Sequence, residues 1–382
     1  MENSEKKNLG IQNKKRINIA ILDMDNLKNP HWAGGQARVT VEIGKRLVER
    51  HSITVYCSKY PDYEDYTENG IKYIHIGLGT NHARLNNIAY ILILPFVVRK
   101  IKADIILENF TAPFATCFSP LFTKIPVVFL TSFFNPKALE KKYKIPFHII
   151  TKFGLKFYKY GIPLTKEQEN EVKKNNNKIN TMVIPNGVDG NYFEHPITEK
   201  NYILYFGRID MNSKGIDLLL EAFSLVCNRV SEDLYIMGSG TQSEEAKMKN
   251  LIKIYGLEKR VKLLGRIFSP EKERYVAESK FVVCPSRYES LGLSALESMA
   301  LGKAVVCFDI SGFKWADNSI CFKVEDISVE ALAEKILEAS KNHEVRRNVA
   351  KKAREFARNY DWDKSTHLYE SFFEQVLNNF VV

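Results

Sequence analysis

The sequence lacks the cysteine spacing of a metal site or a redox pair, and it lacks an apolar run long enough to cross a membrane. Its six cysteines include no Cys-x-x-Cys pair, and several lie within apolar, strand-like runs. We therefore expect reduced thiols in the core of a cytoplasmic protein. The longest apolar run, Ile88–Val98, has 11 residues and contains Pro95, whereas a membrane-spanning helix needs about 20. This run predicts a buried or interfacial helix.

Residues Met1–Arg16 lack the apolar core of a secretory signal, because they are polar and rich in lysine. We therefore expect no signal peptide.

Acidic residues are scarce in the first half of the chain: residues 1–195 hold 28 Lys and Arg against 18 Asp and Glu, whereas the rest of the chain holds 27 of each. A basic half favours a polyanionic partner, such as a membrane surface, a nucleic acid or an acidic substrate. The alternative is charge that serves only solubility.

Short β-branched runs alternate with helical patterns along the whole chain. Arg16–Asp23 is typical of a buried parallel strand, and the pattern restarts after residue 197 with the strand Tyr202–Phe206. This alternation predicts an α/β fold with two doubly wound, Rossmann-like domains that face each other across a cleft. We expect an acceptor-side domain over 1–196 and a donor-binding domain over 197–363, with a C-terminal helix at 364–382 packing back on the first domain. Ligands in such folds bind at the carboxyl ends of the strands.

The most informative stretch follows the apolar strand Phe281–Pro285. Its loop contains Glu289 and ends at Gly292, where a helix that carries Glu297 begins. A helix N-terminus favours anions, and Gly292 allows a phosphate to approach the backbone. Of the two carboxylates, one could accept hydrogen bonds from a ribose diol and the other from a sugar hydroxyl. The alternative is an ordinary helix-terminal acid with a surface glutamate.

Two further loops carry candidate phosphate ligands. Arg208 and Lys214 lie six positions apart after the strand that ends before Gly207, and a guanidinium with an ammonium would suit a diphosphate. In the first half, Gly34-Gly35 separates a strand from a helix, so backbone N–H groups could face a phosphate there. The alternatives are solvated loop cations and a simple tight turn.

Together these motifs resemble the family-4 retaining glycosyltransferases, which have the GT-B fold, and the resemblance covers nearly the whole chain. The stretches that carry it are Gly34-Gly35, Ile184–Asp189, Phe206–Arg208, Lys214-Gly215, Gly238–Gly240, Leu264–Arg266, Pro285–Glu289 and Glu297–Gly302.

The resemblance implies a role for each candidate residue. Arg208 and Lys214 would bind the donor diphosphate and stabilise the departing nucleoside diphosphate, Glu289 would contact the donor sugar, and Glu297 would hold the ribose hydroxyls. The remaining donor-binding residues would be Gly34, Gly35, Gly207, Arg266, Ile267, Ser290, Leu291, Gly292 and Leu293. The family retains the anomeric configuration and needs no metal, so we expect no metal site and no cofactor.

The sequence departs from the family pattern near the reacting carbon. Many members have a histidine there, whereas Glu108 or Asn109 occupies the corresponding position in this chain. Glu108 could accept the proton of the acceptor as a catalytic residue, or it could be structural at a strand end. Asp23-Met24-Asp25 matches the metal-binding Asp-x-Asp pattern of the other large glycosyltransferase fold, but in this architecture we interpret it as a chance match, and His31 as a loop residue.

A lysine-rich segment in the first half alternates with aromatic residues. Between Lys137 and Tyr160 there are seven lysines and one acid, Glu140. At about 100° per residue, the apolar side chains share one arc of a helix and the lysines occupy the neighbouring arc. That arc comprises Ile149, Ile150, Phe153, Phe157 and Tyr160. The pattern is compatible with docking on anionic lipid, and the alternative is a core-facing helix with a solvated face.

We therefore expect a glycosyltransferase that moves a sugar from a UDP- or GDP-sugar to a hydroxyl acceptor, which could be lipid-linked. Its role would be cell-surface polysaccharide or glycolipid synthesis at the cytoplasmic face of a membrane. One alternative is a nucleotide-sugar epimerase of the same fold. The other is a basic nucleic-acid-binding module, but no recognised nucleic-acid motif occurs, and the two glutamates would be unhelpful beside a phosphate backbone.

Overall fold

The computed structural model describes residues 15–31, 34–110, 116–131, 140 and 146–380. The chain divides into two compact units. The first comprises Met1–Gly161, Lys178–Asn180 and Glu370–Val382, and the second comprises Ile162–Asn177 and Thr181–Tyr369.

The first sheet has eight strands in the order β3-β4-β2-β1-β5-β6-β7-β8. Strand β3 is antiparallel to β4, whereas the pairs that join β4, β2, β1, β5 and β6 are parallel. The strands are β1 Asn18–Leu22, β2 Ser52–Ser58, β3 Tyr66–Glu68, β4 Ile71–Ile76, β5 Ile105–Asn109, β6 Val127–Leu130, β7 Tyr160–Ile162 and β8 Asn180–Thr181. The helices that accompany this sheet are α1 Gly35–Leu47, α2 Ala83–Val98 and α3 Phe147–Gly154.

The chain reverses its direction of travel across this sheet between β1 and β5. From β1 it proceeds to β2 and β4 on one side, and from β5 it proceeds to β6 on the other. Such a switch point is where open α/β sheets bind ligands, at the carboxyl ends of the strands. Asp23 directly follows β1, and Asn109 is the last residue of β5.

The second sheet has six strands in the order β11-β10-β9-β12-β13-β14, and all of its strand pairs are parallel. Its strands are β9 Tyr202–Phe206, β10 Asp233–Met237, β11 Val261–Gly265, β12 Phe281–Cys284, β13 Val305–Phe308 and β14 Phe322–Val324. The helices of this part of the chain are α4 Lys166–Asn175, α5 Met211–Lys214, α6 Ile216–Val226, α7 Gln242–Ile254, α8 Glu271–Glu278, α9 Leu293–Ala300, α10 Val329–Lys341, α11 His343–Ala357 and α12 Trp362–Asn379.

The switch point of the second sheet lies between β9 and β12, which are neighbours. The loops that follow these two strands therefore emerge side by side at one edge of the sheet. Ile203 and Val283, on these strands, are fully buried together with Phe223 of α6 and Leu332 of α10. Parallel strands with helices on both faces are buried on both faces, which explains their continuous apolar sequence.

The structure confirms the α/β prediction and adjusts several elements. The first helix begins at Gly35 rather than Val39, because Gly34 has the extended backbone of an N-cap, with φ −87° and ψ −174°. The predicted helical arc does not extend to Tyr160: α3 ends at Gly154, and Tyr160 lies in β7. Lys137 and the lysines at 141, 142 and 144 lie outside the described residues.

The boundary expected at residue 196 stays a prediction, since residues 162–177 and 181–196 group with the second unit. In the C-terminal helix α12, the residues up to Tyr369 group with the second unit and those from Glu370 onward group with the first. Its Glu370 contacts two side chains of the first unit, with carboxylate oxygens 3.3 Å from Arg50 Nη1 and 3.4 Å from His51 Nε2. Among the described residues, no helix combines the length and apolar character that crossing a bilayer requires.

Candidate donor site of the second unit

The loop after β9 depends on two glycines that bring neighbouring backbones together. Gly207 follows β9 and Gly238 follows β10, and a Cβ on Gly238 would clash with the carbonyl oxygen of Gly207. Gly238 has φ +153°, a conformation that L side chains rarely adopt. The Gly207 N–H donates to the Met237 carbonyl at 3.0 Å, and the Ile209 N–H donates to the Ser239 carbonyl at 2.9 Å. Arg208 is thereby fixed between two anchored backbone positions.

Arg208 has a fixed backbone and an accessible side chain. Its carbonyl accepts a hydrogen bond of 2.7 Å from the buried Tyr205 hydroxyl, and burial raises the pKa of that hydroxyl well above its usual range. The guanidinium lies 3.4 Å from Asp210, and the side chain is 55% exposed. A guanidinium in this position can meet a phosphate without being drawn out of the core.

Lys214 ends the short helix α5 and is positioned by the residues on either side of it. Asp210 caps the helix, with its carboxylate accepting from the Ser213 N–H at 2.9 Å. Gly215 has φ +66°, and a Cβ there would clash with the Pro285 carbonyl oxygen. The Arg287 N–H also donates to the Ser213 carbonyl at 2.9 Å. The Lys214 loop is therefore docked directly on the loop that follows β12.

This docking pairs Lys214 with Glu289. The ammonium lies 2.6 Å from Glu289 Oε1, and the Ser286 hydroxyl donates to the same oxygen at 2.7 Å. Glu289 is 9% exposed. Within the described part of the chain, the other carboxylate oxygen, Oε2, accepts no hydrogen bond. The pair thus presents one held cation and one carboxylate oxygen that can accept from a hydroxyl.

Gly292 shapes the start of helix α9. It has φ +75°, and a Cβ there would clash with the Phe313 ring. The two residues before it are held by side chains, because Gln168 Nε2 donates to the Ser290 carbonyl at 3.3 Å and Trp315 Nε1 donates to the Leu291 carbonyl at 2.9 Å. In the first turn of α9 the Ala295 N–H donates to the Gly292 carbonyl at 2.9 Å, which leaves the amides of Leu293 and Ser294 as those without an acceptor in the helix.

Glu297 lies one turn into α9 and is buried. Its Oε2 is 3.0 Å from the ammonium of Lys272 on α8, and Lys272 also donates to the Tyr192 hydroxyl at 3.3 Å. The sequence interpretation missed Lys272. Its position shortly after the expected base-binding loop was the available signal, but a lysine in a charged stretch, Glu271–Arg274, does not stand out.

Arg266 and Ile267 follow β11, as expected for a loop that meets a base. The guanidinium of Arg266 lies 5.0 Å from the ring centroid of Phe268, and this ring is 66% exposed. The sequence interpretation also missed Phe268, which offers a stacking face beside the loop.

The sequence interpretation also missed the role of Arg287. Its two terminal nitrogens donate to the Asp217 carboxylate at 2.8 and 2.7 Å, and one of them also donates to the Met211 carbonyl at 2.6 Å. Arg287 therefore connects α5 and α6 to the loop after β12.

In the first unit, Gly34 and Gly35 begin α1. The Gly34 N–H donates to Asp25 Oδ2 at 2.7 Å, whereas a Cβ on Gly35 would meet nothing within 4 Å. Asp23 is buried, accepts from the Thr40 hydroxyl at 2.5 Å, and has a pKa raised by burial. The carboxylates of the two aspartates in the Asp-x-Asp match therefore accept from different groups within the first unit, and the Asp25 N–H also donates to Asp23 Oδ1 at 3.2 Å. Within the described residues, no three His, Cys, Asp or Glu side chains form a group that could hold a metal ion.

Glu108 is fully buried and fully engaged, which argues against the catalytic role considered for it. Its Oε1 accepts from the Thr116 hydroxyl at 2.6 Å and the Ser119 hydroxyl at 2.9 Å, and its Oε2 accepts from the Tyr158 hydroxyl at 2.6 Å. Burial raises the pKa of this carboxyl. Successive residues of a strand point to opposite faces, so Glu108 and Asn109 have different surroundings. The structural alternative is the one that the geometry favours.

Comparison with known proteins places these loops in a family. The model of Glycosyltransferase Family 4 matches residues 33–191, and that of Glycosyl transferases group 1 matches residues 191–356. An uncharacterised glycosyltransferase of Methanocaldococcus jannaschii is 24% identical over 360 residues, which cover 90% of this chain and 95% of the relative.

Two solved structures have a similar fold. Sucrose-phosphate synthase from Thermosynechococcus elongatus has a TM-score of 0.79 at 19% identity, and the match covers 95% of this chain and 100% of the synthase chain. The Anabaena protein HepE in complex with UDP-glucose has a TM-score of 0.71 at 16% identity, and the match covers 94% of this chain and 100% of the HepE chain. The chain is a glycosyltransferase that belongs to the group 1, family-4 enzymes with the GT-B fold.

Proposed function

We propose that this glycosyltransferase moves a sugar from a nucleoside-diphosphate sugar to a hydroxyl acceptor, with retention of the anomeric configuration and without a metal ion. The observation that carries the proposal is the pairing of Lys214 with Glu289 at the switch point of the second sheet, 2.6 Å apart. A held cation beside a carboxylate oxygen suits a substrate that combines phosphates with sugar hydroxyls.

The charged groups of the site have distinct roles in this proposal. The bond from the anomeric carbon to the β-phosphate oxygen breaks, the acceptor oxygen bonds to that carbon, and the proton of the acceptor hydroxyl passes to the departing phosphate oxygen. The bonding electrons move to the phosphate oxygen, where Arg208 and Lys214 offset the developing charge. Preorganised charges contribute most where they need not rearrange during the reaction, and the Gly207 and Gly215 backbones supply that order.

The donor would contact the remaining candidate residues in the loops that follow the strands of the second sheet and in helix α9. Glu289 would accept from a sugar hydroxyl and Glu297 from the ribose, while Arg266 and Phe268 would lie beside the base. The similar fold of Anabaena HepE, solved in complex with UDP-glucose, supports a nucleoside-diphosphate sugar as donor, and a UDP- or GDP-sugar stays the proposed one. Gly35 in the first unit stays a proposed diphosphate contact. Synthesis of a cell-surface polysaccharide or glycolipid stays the proposed setting.

A thermal-shift panel of UDP, GDP, ADP and their sugars tests the donor proposal. A ligand that binds only the folded state raises the melting temperature by mass action, so one base should stand out from the others. Mass spectrometry of the selected donor, incubated without acceptor, separates transfer from epimerisation. An isomerised donor sugar in that sample would favour the epimerase, and absence of any nucleotide shift would contradict the donor site.

We further propose that the first unit docks on an anionic membrane surface at its cytoplasmic face. Helix α2 has a row of exposed apolar side chains at helical spacing, with Leu92 66% and Phe96 62% exposed. Helix α3 adds Ile149 and Phe153, both more than half exposed, next to the exposed Lys152. An exposed apolar face with basic neighbours is the pattern of an interfacial helix.

A further inference from the structure

A cavity of about 710 Å³ in the second unit is lined by an excess of cationic side chains. Small-molecule sites have volumes of roughly 300–1,000 Å³, so the cavity is large enough for a ligand of moderate size. Two carboxylates, Glu199 and Glu355, also line it. The cations of the lining are Lys280, Arg346, Arg347, Lys351, Arg354 and Arg358.

Four of these cations form one row along helix α11 and its C-cap residue, Arg358. Arg347, Lys351, Arg354 and Arg358 have spacings of four, three and four residues, which place them on one face of the helix. At 1.5 Å per residue the row is about 16 Å long. Like charges four residues apart destabilise an isolated helix, so helix formation does not account for the row.

The described residues only partly compensate this charge. Arg346 pairs with Glu199 at 3.0 Å and Arg358 with Glu355 at 3.4 Å, and Lys280 pairs with Glu232, which does not line the cavity. Arg354 donates to the Phe193 carbonyl at 2.6 Å. The Nε atoms of Arg346 and Arg354 are buried and have no hydrogen-bond partner among the residues that the structure describes.

Arg347 and Lys351 are exposed. Across the described ranges, neither has a carboxylate partner. The row therefore keeps a net positive charge that faces the cavity and the solvent.

The cavity is separate from the donor loops. Gly302 and Ala304 line it, and they follow the C-terminal end of α9. Gly292 and the donor loop lie at the N-terminal end of that helix. The eight residues of α9 separate the two by about 12 Å.

We propose that this cavity binds a linear anion that carries several phosphate groups, independently of the sugar donor. Guanidinium and ammonium groups match phosphate oxygens, and a row of about 16 Å is longer than one phosphate can occupy. Phe193 and Ile197, also in the lining, provide apolar surface for the carbon segments between phosphates. The proposal goes beyond sugar transfer, because it concerns a second site in the same unit.

The test uses the whole chain and a fluorescent oligomer of six glycerol-phosphate units, measured by anisotropy in the presence of saturating UDP and GDP. We expect Arg347→Glu with Lys351→Glu to weaken binding about tenfold or more, since phosphate contacts dominate such affinities. The matched control is Lys249→Glu with Lys253→Glu on α7, which makes the same charge change at two exposed lysines four residues apart. We expect this control to bind as wild type does.

Additional arms define the ligand. Inorganic tripolyphosphate competing as well as the oligomer would show that free phosphates suffice, whereas a much weaker effect would show that the site selects the polymer. No saturable binding to wild type, or equal loss in both double variants, would overturn the proposal. Tighter binding of single-stranded DNA of equal charge would assign the row to nucleic acid instead. If the Glu variant fails to fold by circular dichroism, the double Gln variant replaces it.

Discussion

Arg208 and Lys214 are the two cations that the loop after β9 brings to the donor site. We expect Arg208→Ala and Lys214→Ala each to lower kcat about 10²–10³-fold, as removal of a preorganised charge-stabilising group does. The matched control is Lys253→Ala, an exposed lysine on α7, which should keep wild-type turnover. The measurement is steady-state kinetics with the donor that the thermal-shift panel selects.

The same measurement on Glu297→Ala extends the test to the ribose. This change removes the partner that lies 3.0 Å from Lys272, so some loss of stability should accompany the loss of turnover. If all three alanine variants keep wild-type turnover and remain folded, the site proposed for the second unit is wrong.

For Glu108 we expect a structural role, so its substitution should affect stability rather than turnover. A positioned general acid or base contributes about 10²–10⁴-fold to rate, but the carboxylate is 0% exposed and accepts from three hydroxyls. We therefore expect Glu108→Gln to change turnover by less than about threefold. It should lower the free energy of unfolding by about 1–3 kcal/mol, because the amide cannot reproduce every accepted hydrogen bond.

The assays that check Glu108→Gln are kcat with the selected donor and urea unfolding. A fall in turnover of about 10²-fold or more, with unchanged stability, would restore Glu108 as a catalytic residue.

At the scale of elements, apolar runs located the strands β1, β9 and β12 within one or two residues, because parallel strands with both faces covered leave a continuous signal. Phe281–Cys284 is an example. Strands β7 and β8 have only three and two residues, so they depend on pairing with distant chain segments rather than on local pattern. The helical arc predicted for the segment between Lys137 and Tyr160 was wrong at Tyr160 for the same reason, since Tyr160 lies in β7.

The exposed face of α2 makes a prediction about membranes. We expect Leu92→Ser with Phe96→Ser to reduce cosedimentation with vesicles of phosphatidylglycerol and phosphatidylcholine about tenfold or more, since binding scales with the apolar area buried. Both side chains are more than 60% exposed, so the fold should survive. Adding salt should weaken wild-type binding to anionic vesicles.

A matched control keeps this prediction specific. Leu225→Ser with Ile254→Ser changes two apolar side chains of the second unit that are 53% and 64% exposed, and it should bind vesicles as wild type does. Equal binding of the wild type to neutral and anionic vesicles at low salt, or equal loss in both double variants, would contradict docking through α2.

For the whole molecule, the sequence predicted two parallel sheets and the loops that carry charge, because glycines at turns and apolar strands leave local signals. It could not predict which charges pair. Lys272 meets Glu297, and Arg287 meets Asp217, across 25 and 70 residues of sequence, and only the packed fold brings such residues together. The basic excess of the first half also gave no sign of the cationic row on α11, since the second half is neutral in total.

Stability of the folded chain should depend on pH through Lys303. This lysine is 1% exposed, its ammonium donates to the Thr198 carbonyl at 2.6 Å, and burial lowers its pKa from 10.5 to about 8. Because the unfolded chain holds this proton more tightly, the charged lysine opposes folding below about pH 8. The free energy of unfolding therefore rises between about pH 8 and 10, by at most about 1.4 kcal/mol per pH unit from this group.

Lys303→Met isolates that contribution, because every other titrating group is common to both proteins. We expect urea unfolding at a series of pH values from about 7 to 10 to show that the free energy of unfolding of the wild type increases, relative to that of the variant, as the pH rises. The change should level off as the pH approaches the pKa of an unfolded lysine, about 10.4. Parallel curves across this range would mean that the buried lysine keeps its ordinary pKa, stabilised by the Thr198 carbonyl and by the charge of Glu199 nearby.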